Sequence, residues 1–248
     1  MSLDPVTTIP GSSCGAVPVV TAQQDNLRWF ELSLVLLVAF GGSLAGSIHV
    51  LTHSPAQWAP FTNERWMVSA IHEVSCLGLL GYVLHRRGLK IRDLGMIWSR
   101  QAVIVGVCLF GVACVSYSLG LWLIQMGQHF VTGTYVTPVH AAQIFGHPGI
   151  MAFLFTFLNP FFEELIVRAY LMSEVSRLTG SMALATVVSV LLQSSYHLYY
   201  GWTGAGAMAF LFVVFAVYYA RTRKATPVII AHFLFDILAV ARLAHLNS

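Results

Sequence analysis

Seven times between residues 29 and 244 the chain stays apolar for close to the roughly 20 residues that a helix needs to cross hydrocarbon. No other feature limits its possible folds as strongly. The runs lie at about 29–52, 66–84, 101–125, 148–172, 181–198, 205–221 and 226–244. They are continuous rather than alternating in polarity, and lipid offers no partner to an open backbone, so helices are expected rather than barrel strands. Composition agrees. The 248 residues are 57% hydrophobic and 9% charged, against about 25% charged in soluble domains. The expected fold is all-α, a polytopic transmembrane bundle of about seven spans.

Residues 1–26 carry Pro5, Pro10, Pro18 and a Gly-Ser-Ser run, and read as a mobile polar tail. They lack a basic n-region, and the first apolar run starts too late for a secretory signal peptide. Residues 27–248 read as one transmembrane domain. With the N-terminus in the cytoplasm, Arg28, Arg86, Arg87, Lys90, Arg92, Arg100, Arg177, Arg221, Arg223 and Lys224 fall on the inner side. Arg65 and Arg242 fall outside, and Arg168 lies within a span, which accounts for all 13 Lys and Arg residues. That asymmetry fixes the orientation by the positive-inside rule. The basic segment Gly88–Arg100 is expected along the inner interface. A net charge of +3 without a basic stripe makes the lipid bilayer the expected partner and excludes nucleic acid. Of the four cysteines, Cys76, Cys108 and Cys114 lie in spans and Cys14 in the tail. Their spacing suits no metal site or disulfide framework, so they read as small buried apolar residues.

Charged side chains inside the spans cost about 2.5–3.5 kcal/mol each on insertion scales, so each needs a partner or a purpose. The fourth span, FLNPFFEELIVRAYL, holds three: Glu163, Glu164 and Arg168. Glu164 and Arg168 are four apart, acid first, the better order for a helical pair. Glu163 is turned by about 100° from Glu164 and is left free for chemistry. Asn159-Pro160, one turn earlier, should kink the helix and admit water. The plainer alternative is a salt bridge that locks helix packing, with the second glutamate protonated.

Two later spans supply imidazoles. His197 sits in QSSYHLYYG. His232 and Asp236, four apart in TPVIIAHFLFDIL, face the same way. Thr226-Pro227 suits a helix start, with threonine as cap and proline at the first helical position. A single intramembrane histidine is usually a packing residue, but acids and imidazoles on three spans suggest one wet cavity. His72-Glu73 reads instead as a separate hydrogen-bonded pair. His129, His140 and His147 fall in an outer loop over 126–147 that could cap the cavity.

Taken in order, EELIVR, His197 and the His232–Asp236 pair resemble the EExxxR, FxxxH and HxxxN/D motifs of the CPBP (CAAX protease and bacteriocin-processing, Abi) family, which includes type II CAAX prenyl endopeptidases. The likeness covers about residues 145–240. Gln193 stands where the second motif usually has Phe, and Val167 and Ala169 replace the common Phe and Gly around the arginine.

The resemblance implies an intramembrane endopeptidase, a hydrolase acting on a membrane-associated or exported protein in a bacterial inner membrane. Glu163 would act as general base on water, assisted by His197. His232 and Asp236 would stabilise the oxyanion or position the water, with Glu164 and Arg168 holding the geometry. No cofactor is required on this reading. A divalent metal such as zinc is the alternative, with His197, His232 and Glu163 as its ligands. Two other classes stay open: a non-catalytic bacteriocin-immunity or scaffold protein, and a histidine-liganded cofactor or ion carrier. Straight vertical helices would leave the His197 and His232 rings about 15 Å apart in depth. A break near Gly201, Gly204 and Gly206, or strong tilting, is therefore expected to bring them together.

Overall fold

A computed structural model describes residues 22–53, 61–135 and 149–246. The expected tail up to residue 21, Cys14, His140 and His147 lie outside the described residues. Helix α1 (Ala22–Thr52) begins within the last residues expected to belong to the tail. It is followed by α2 (Asn63–Arg86), α3 (Arg100–Thr132) and α4 (Ile150–Glu163). A π-helical segment (Glu164–Leu171) joins α4 to α5 (Met172–Thr179). Then come α6 (Met182–Tyr196), α7 (Gly201–Thr222) and α8 (Ala225–Leu246). Among the described residues there is no strand.

Among the described residues, six stretches are long and apolar enough to cross a membrane: Gln23–Thr52, Asn63–Arg86, Arg100–Thr132, Ile150–Thr179, Leu198–Thr222 and Ala225–Leu243. The seventh expected span, α6, is apolar but only 15 residues long. Outward-facing Leu37, Val115 and Trp202 are what a lipid surface requires, since apolar groups there meet apolar solvent. The protein is a multi-pass membrane bundle. Cys108 also faces outward and Cys76 is buried, so the cysteines do not share one environment.

The continuous pass α4–π–α5 is the hub. Every residue from Glu164 to Leu171 is buried. Around it, Phe40, Leu80, Phe162, Ile166, Tyr196 and Tyr219 form one apolar cluster. A second cluster (Leu109, Ala113, Phe212, Phe215, Val228, Ala231) joins α3, α7 and α8. Small residues let those helices approach closely: a Cβ at Gly120 would overlap the Phe210 ring, and one at Gly106 would meet Ile230 at 2.8 Å. Polar bonds add to that contact, from Ser116 Oγ to the Phe210 carbonyl (3.0 Å) and from Gln128 to Thr203 (2.9 Å).

One end of the bundle gathers the basic residues. Arg28 bonds Glu174 at 3.2 Å, and Arg87 bonds both Glu31 and Glu174. These contacts tie α1, α2 and α5 together. Beside them the segment after α2 forms a short 3-10 turn, Ile91–Leu94, with Leu94 buried.

The start of α8 differs from expectation. The helix begins at Ala225, whose N–H donates to the Gly95 carbonyl at 3.0 Å. That carbonyl takes the role given to Thr226, whose hydroxyl is buried without a hydrogen-bond partner. Pro227 lies within the first turn, where its missing N–H removes no intrahelical bond. Gly95 has φ +84°, and a Cβ there would overlap the Arg223 carbonyl. Glycine is therefore needed for the loop to reach α8.

The outer loop is also shorter than expected, because α3 continues to Thr132. His129 lies on its last turn and stacks on Tyr135 with ring centroids 4.3 Å apart.

Candidate active site

The local backbone explains why two adjacent glutamates diverge. Pro160 sits inside α4, and the backbone widens to i→i+5 pairing from Glu164 onward. Such a turn strains the carbonyl pattern, and neighbouring helices supply donors. Ser189 Oγ donates to the Val167 carbonyl at 3.1 Å, and the Tyr219 hydroxyl to that of Ala169 at 3.3 Å. In hydrocarbon an irregular segment persists only with such partners.

Glu163, at the end of α4, points to α6. Its Oε2 accepts from Gln193 Nε2 at 2.7 Å and from the Tyr196 hydroxyl at 2.8 Å. Glu164, at the start of the π segment, points to α8. Its Oε1 lies 2.8 Å from His232 Nδ1, and its Oε2 lies 3.5 Å from Arg168 Nε. The Glu164–Arg168 contact exists, but the arginine's hydrogen bonds go elsewhere. Arg168 donates to Ser189 Oγ at 2.7 Å, to Gln193 Oε1, and to the Phe212 carbonyl at 3.5 Å. A fully buried guanidinium thus clamps the π segment to α6 and α7, a task suited to its planar fork of donors.

His197 caps the C-terminus of α6. Its Nδ1 lies 2.8 Å from the Gln193 carbonyl. A carbonyl only accepts, so Nδ1 carries the hydrogen and Nε2 of the neutral ring is left as the acceptor. The ring packs against Phe212 and Tyr196, with centroids at 4.9 and 4.8 Å. His232 Nε2 lies 3.5 Å from Asp236 Oδ1, and the carboxyl of Asp236 is 23% exposed. Asp236 Oδ2 is 3.3 Å from the side-chain amide of Asn159.

The expected chain break falls at residues 197–201. Helix α6 ends at Tyr196, a 3-10 turn covers Leu198–Tyr200, and Gly201 opens α7 with φ +72°. Ser47 on α1 donates to the Tyr196 carbonyl at 2.7 Å, which satisfies part of the helix end. Gly204 and Gly206 lie inside regular helix, so of the three glycines Gly201 alone marks the break.

Glu163, Glu164, Arg168, His232 and Asp236 are therefore joined through direct contacts or one intervening side chain. Glu163 and His197 are linked through Gln193, whose amide bonds the first and whose carbonyl bonds the second. The reading of His72-Glu73 as a separate pair is corrected. The two point apart: His72 Nε2 lies 3.0 Å from the Val38 carbonyl, whereas Glu73 turns inward to Asn159. Sequence reasoning also missed Gln193, Tyr196 and Asn159 as site residues. The signal for Gln193 was present, a polar residue where an aromatic one is usual, one turn before His197.

The set His197, His232 and Glu163 is not gathered as a metal site. Among the described residues no group of three His, Cys, Asp or Glu side chains is placed to hold one.

Residues 145–238 match a family model described as Type II CAAX prenyl endopeptidase Rce1-like. No curated protein and no solved structure matches the chain. The match takes in Asn159 and all six expected site residues, and leaves helices α1 to α3, with Glu73, outside it. At the level of the family it supports an intramembrane endopeptidase of the CAAX type acting at the membrane.

Proposed function

We propose that this chain hydrolyses a peptide bond of a membrane-associated or exported protein with water activated by Glu163. The observation that carries the reading is the divergence of the two glutamates: Glu164 is spent on His232 and Arg168, while Glu163 keeps one oxygen without a strong partner. Glu163 Oε2 is fixed by Gln193 and Tyr196, so Oε1 is the oxygen that accepts a proton from water.

The hydroxide formed bonds to the scissile carbonyl carbon, and the carbonyl oxygen becomes the oxyanion. His232, held at Nδ1 by Glu164, directs Nε2–H toward that charge beside Asp236. Fixed donors act most strongly where water is scarce. His197 Nε2 orients the attacking water. When the C–N bond breaks, the proton held by Glu163 passes to the leaving amine and the base is regenerated. Water is thereby divided between the new carboxyl and the new amino terminus.

The basic end of the bundle, with Arg28, Arg87 and Arg223, faces the cytoplasm of a bacterial inner membrane in this reading. A terminal-peptide comparison across membrane and exported proteins tests it, in cells expressing wild type or Glu163→Gln at matched folded abundance. Loss of a defined product in Glu163→Gln supports the protease and identifies its substrate. Identical peptides, under conditions where the protein is needed, overturn it.

A further inference from the structure

Glu73 on α2 brings a third carboxyl group to the site, from outside the segment that matches the family. It is 2% exposed. Its Oε1 lies 2.8 Å from one end of the Asn159 side-chain amide, and that same end lies 3.3 Å from Glu163 Oε1. The other end is 3.3 Å from Asp236 Oδ2. Three carboxyl groups, from α2, α4 and α8, therefore surround one amide.

An amide has one donating end and one accepting end. With nitrogen toward Glu73 and Glu163, its oxygen faces Asp236. With nitrogen toward Asp236, its oxygen faces Glu73 and Glu163. Either way a carboxyl oxygen meets a carbonyl oxygen, which is favourable only with a proton between them.

The partners decide where that proton sits. Glu163 has two strong donors, and Asp236 has His232 and partial access to water. Among the described residues Glu73 has no ion-pair partner, and its Oε2 is buried without a hydrogen bond. A buried carboxylate so placed is costly, and the neutral acid avoids that cost.

We propose that Glu73 is a positioning residue of this site. Its neutral carboxyl donates to the Asn159 oxygen and turns the amide nitrogen toward Asp236, which leaves Glu163 Oε1 free of a donor and open to water. The proposal rests on the reading of Glu163 as the base.

The test uses the full chain in membranes and a synthetic peptide carrying the bond found by the terminal-peptide comparison. Glu73→Gln is neutral, of similar shape, and can still donate to Asn159. It should keep kcat within about threefold of wild type. Glu73→Leu removes the donor and should lower kcat by tenfold or more, with KM within about twofold. If Glu73→Leu does not fold, Glu73→Asp replaces it, because the shorter arm withdraws the acid from Asn159. Equal losses in Glu73→Gln and the second variant would overturn the proposal, and so would no loss in either. Glu163→Gln runs in the same assay: if it stays active, the base reading itself has failed, and this proposal with it. If Glu163→Gln is inactive while Glu73→Leu is unimpaired, only the role of Glu73 has failed.

Discussion

Glu163 and Glu164 are neighbours in sequence, yet their carboxyl groups bind different helices. Glu163 Oε2 takes two hydrogen bonds from α6, at 2.7 and 2.8 Å. Glu164 Oε1 lies 2.8 Å from His232 on α8. The widened backbone that begins at Glu164 lies at this divergence, and π-bulges are frequent at functional sites. One acid is held against the imidazole of His232, and the other is the acid to which the proposed function gives the activation of water.

The Tyr196 hydroxyl is the more easily isolated of the two donors to Glu163. Its ring stacks on Phe40 with centroids 4.6 Å apart, a contact that phenylalanine preserves. Tyr196→Phe should therefore fold, with a stability loss of about 1.5–3 kcal/mol for one hydrogen bond to a charged group. With one anchor of Oε2 gone, kcat should fall about tenfold at little-changed KM. Steady-state kinetics on the cleaved peptide, with thermal unfolding in detergent, checks both parts.

Gln193 joins Arg168 to Glu163 through the two ends of one amide. Gln193→Leu keeps similar volume and removes both bonds. The loss leaves part of a buried guanidinium unpaired, for an expected cost of about 2–3 kcal/mol. Turnover should fall further than in Tyr196→Phe, because Arg168 is disturbed as well. A variant as active and as stable as wild type would show that this bridge is idle.

Arg168 is fully buried and donates to three acceptors on α6 and α7. Lysine keeps the charge but not the fork, so Arg168→Lys should not restore the fold. Arg168→Ala, which leaves Glu164 without its cation, should cost about 3–5 kcal/mol. Both are read as folded yield and melting temperature of the purified protein, with alanine the lower.

The bundle was legible because lipid demands long apolar helices, and the seven runs announce them. The EELIVR, His197 and His232–Asp236 positions were legible because charged or imidazole groups stand out in apolar surroundings. What stayed hidden depends on geometry that a regular helix does not encode. A period of 3.6 turns Glu163 and Glu164 apart by about 100°, but it does not foresee eight π-helical residues following Pro160. Glu73 belongs to a distant span, so its approach to Asn159 is a matter of tertiary packing. Asn159 drew notice only for the kink beside it. The short α6 escaped because an apolar run does not say where a turn such as Leu198–Tyr200 will cut it.

The most direct test of the assignment is a paired measurement of turnover and thermal stability for Glu163→Gln and Glu164→Gln, in purified protein with the identified peptide. Glu163→Gln should abolish turnover while its melting temperature stays near wild type. Glu164→Gln should lower the melting temperature, because His232 and Arg168 lose their carboxylate partner. Full turnover in Glu163→Gln, or loss of turnover confined to a well-folded Glu164→Gln, would contradict the division of roles and place the reacting carboxylate elsewhere.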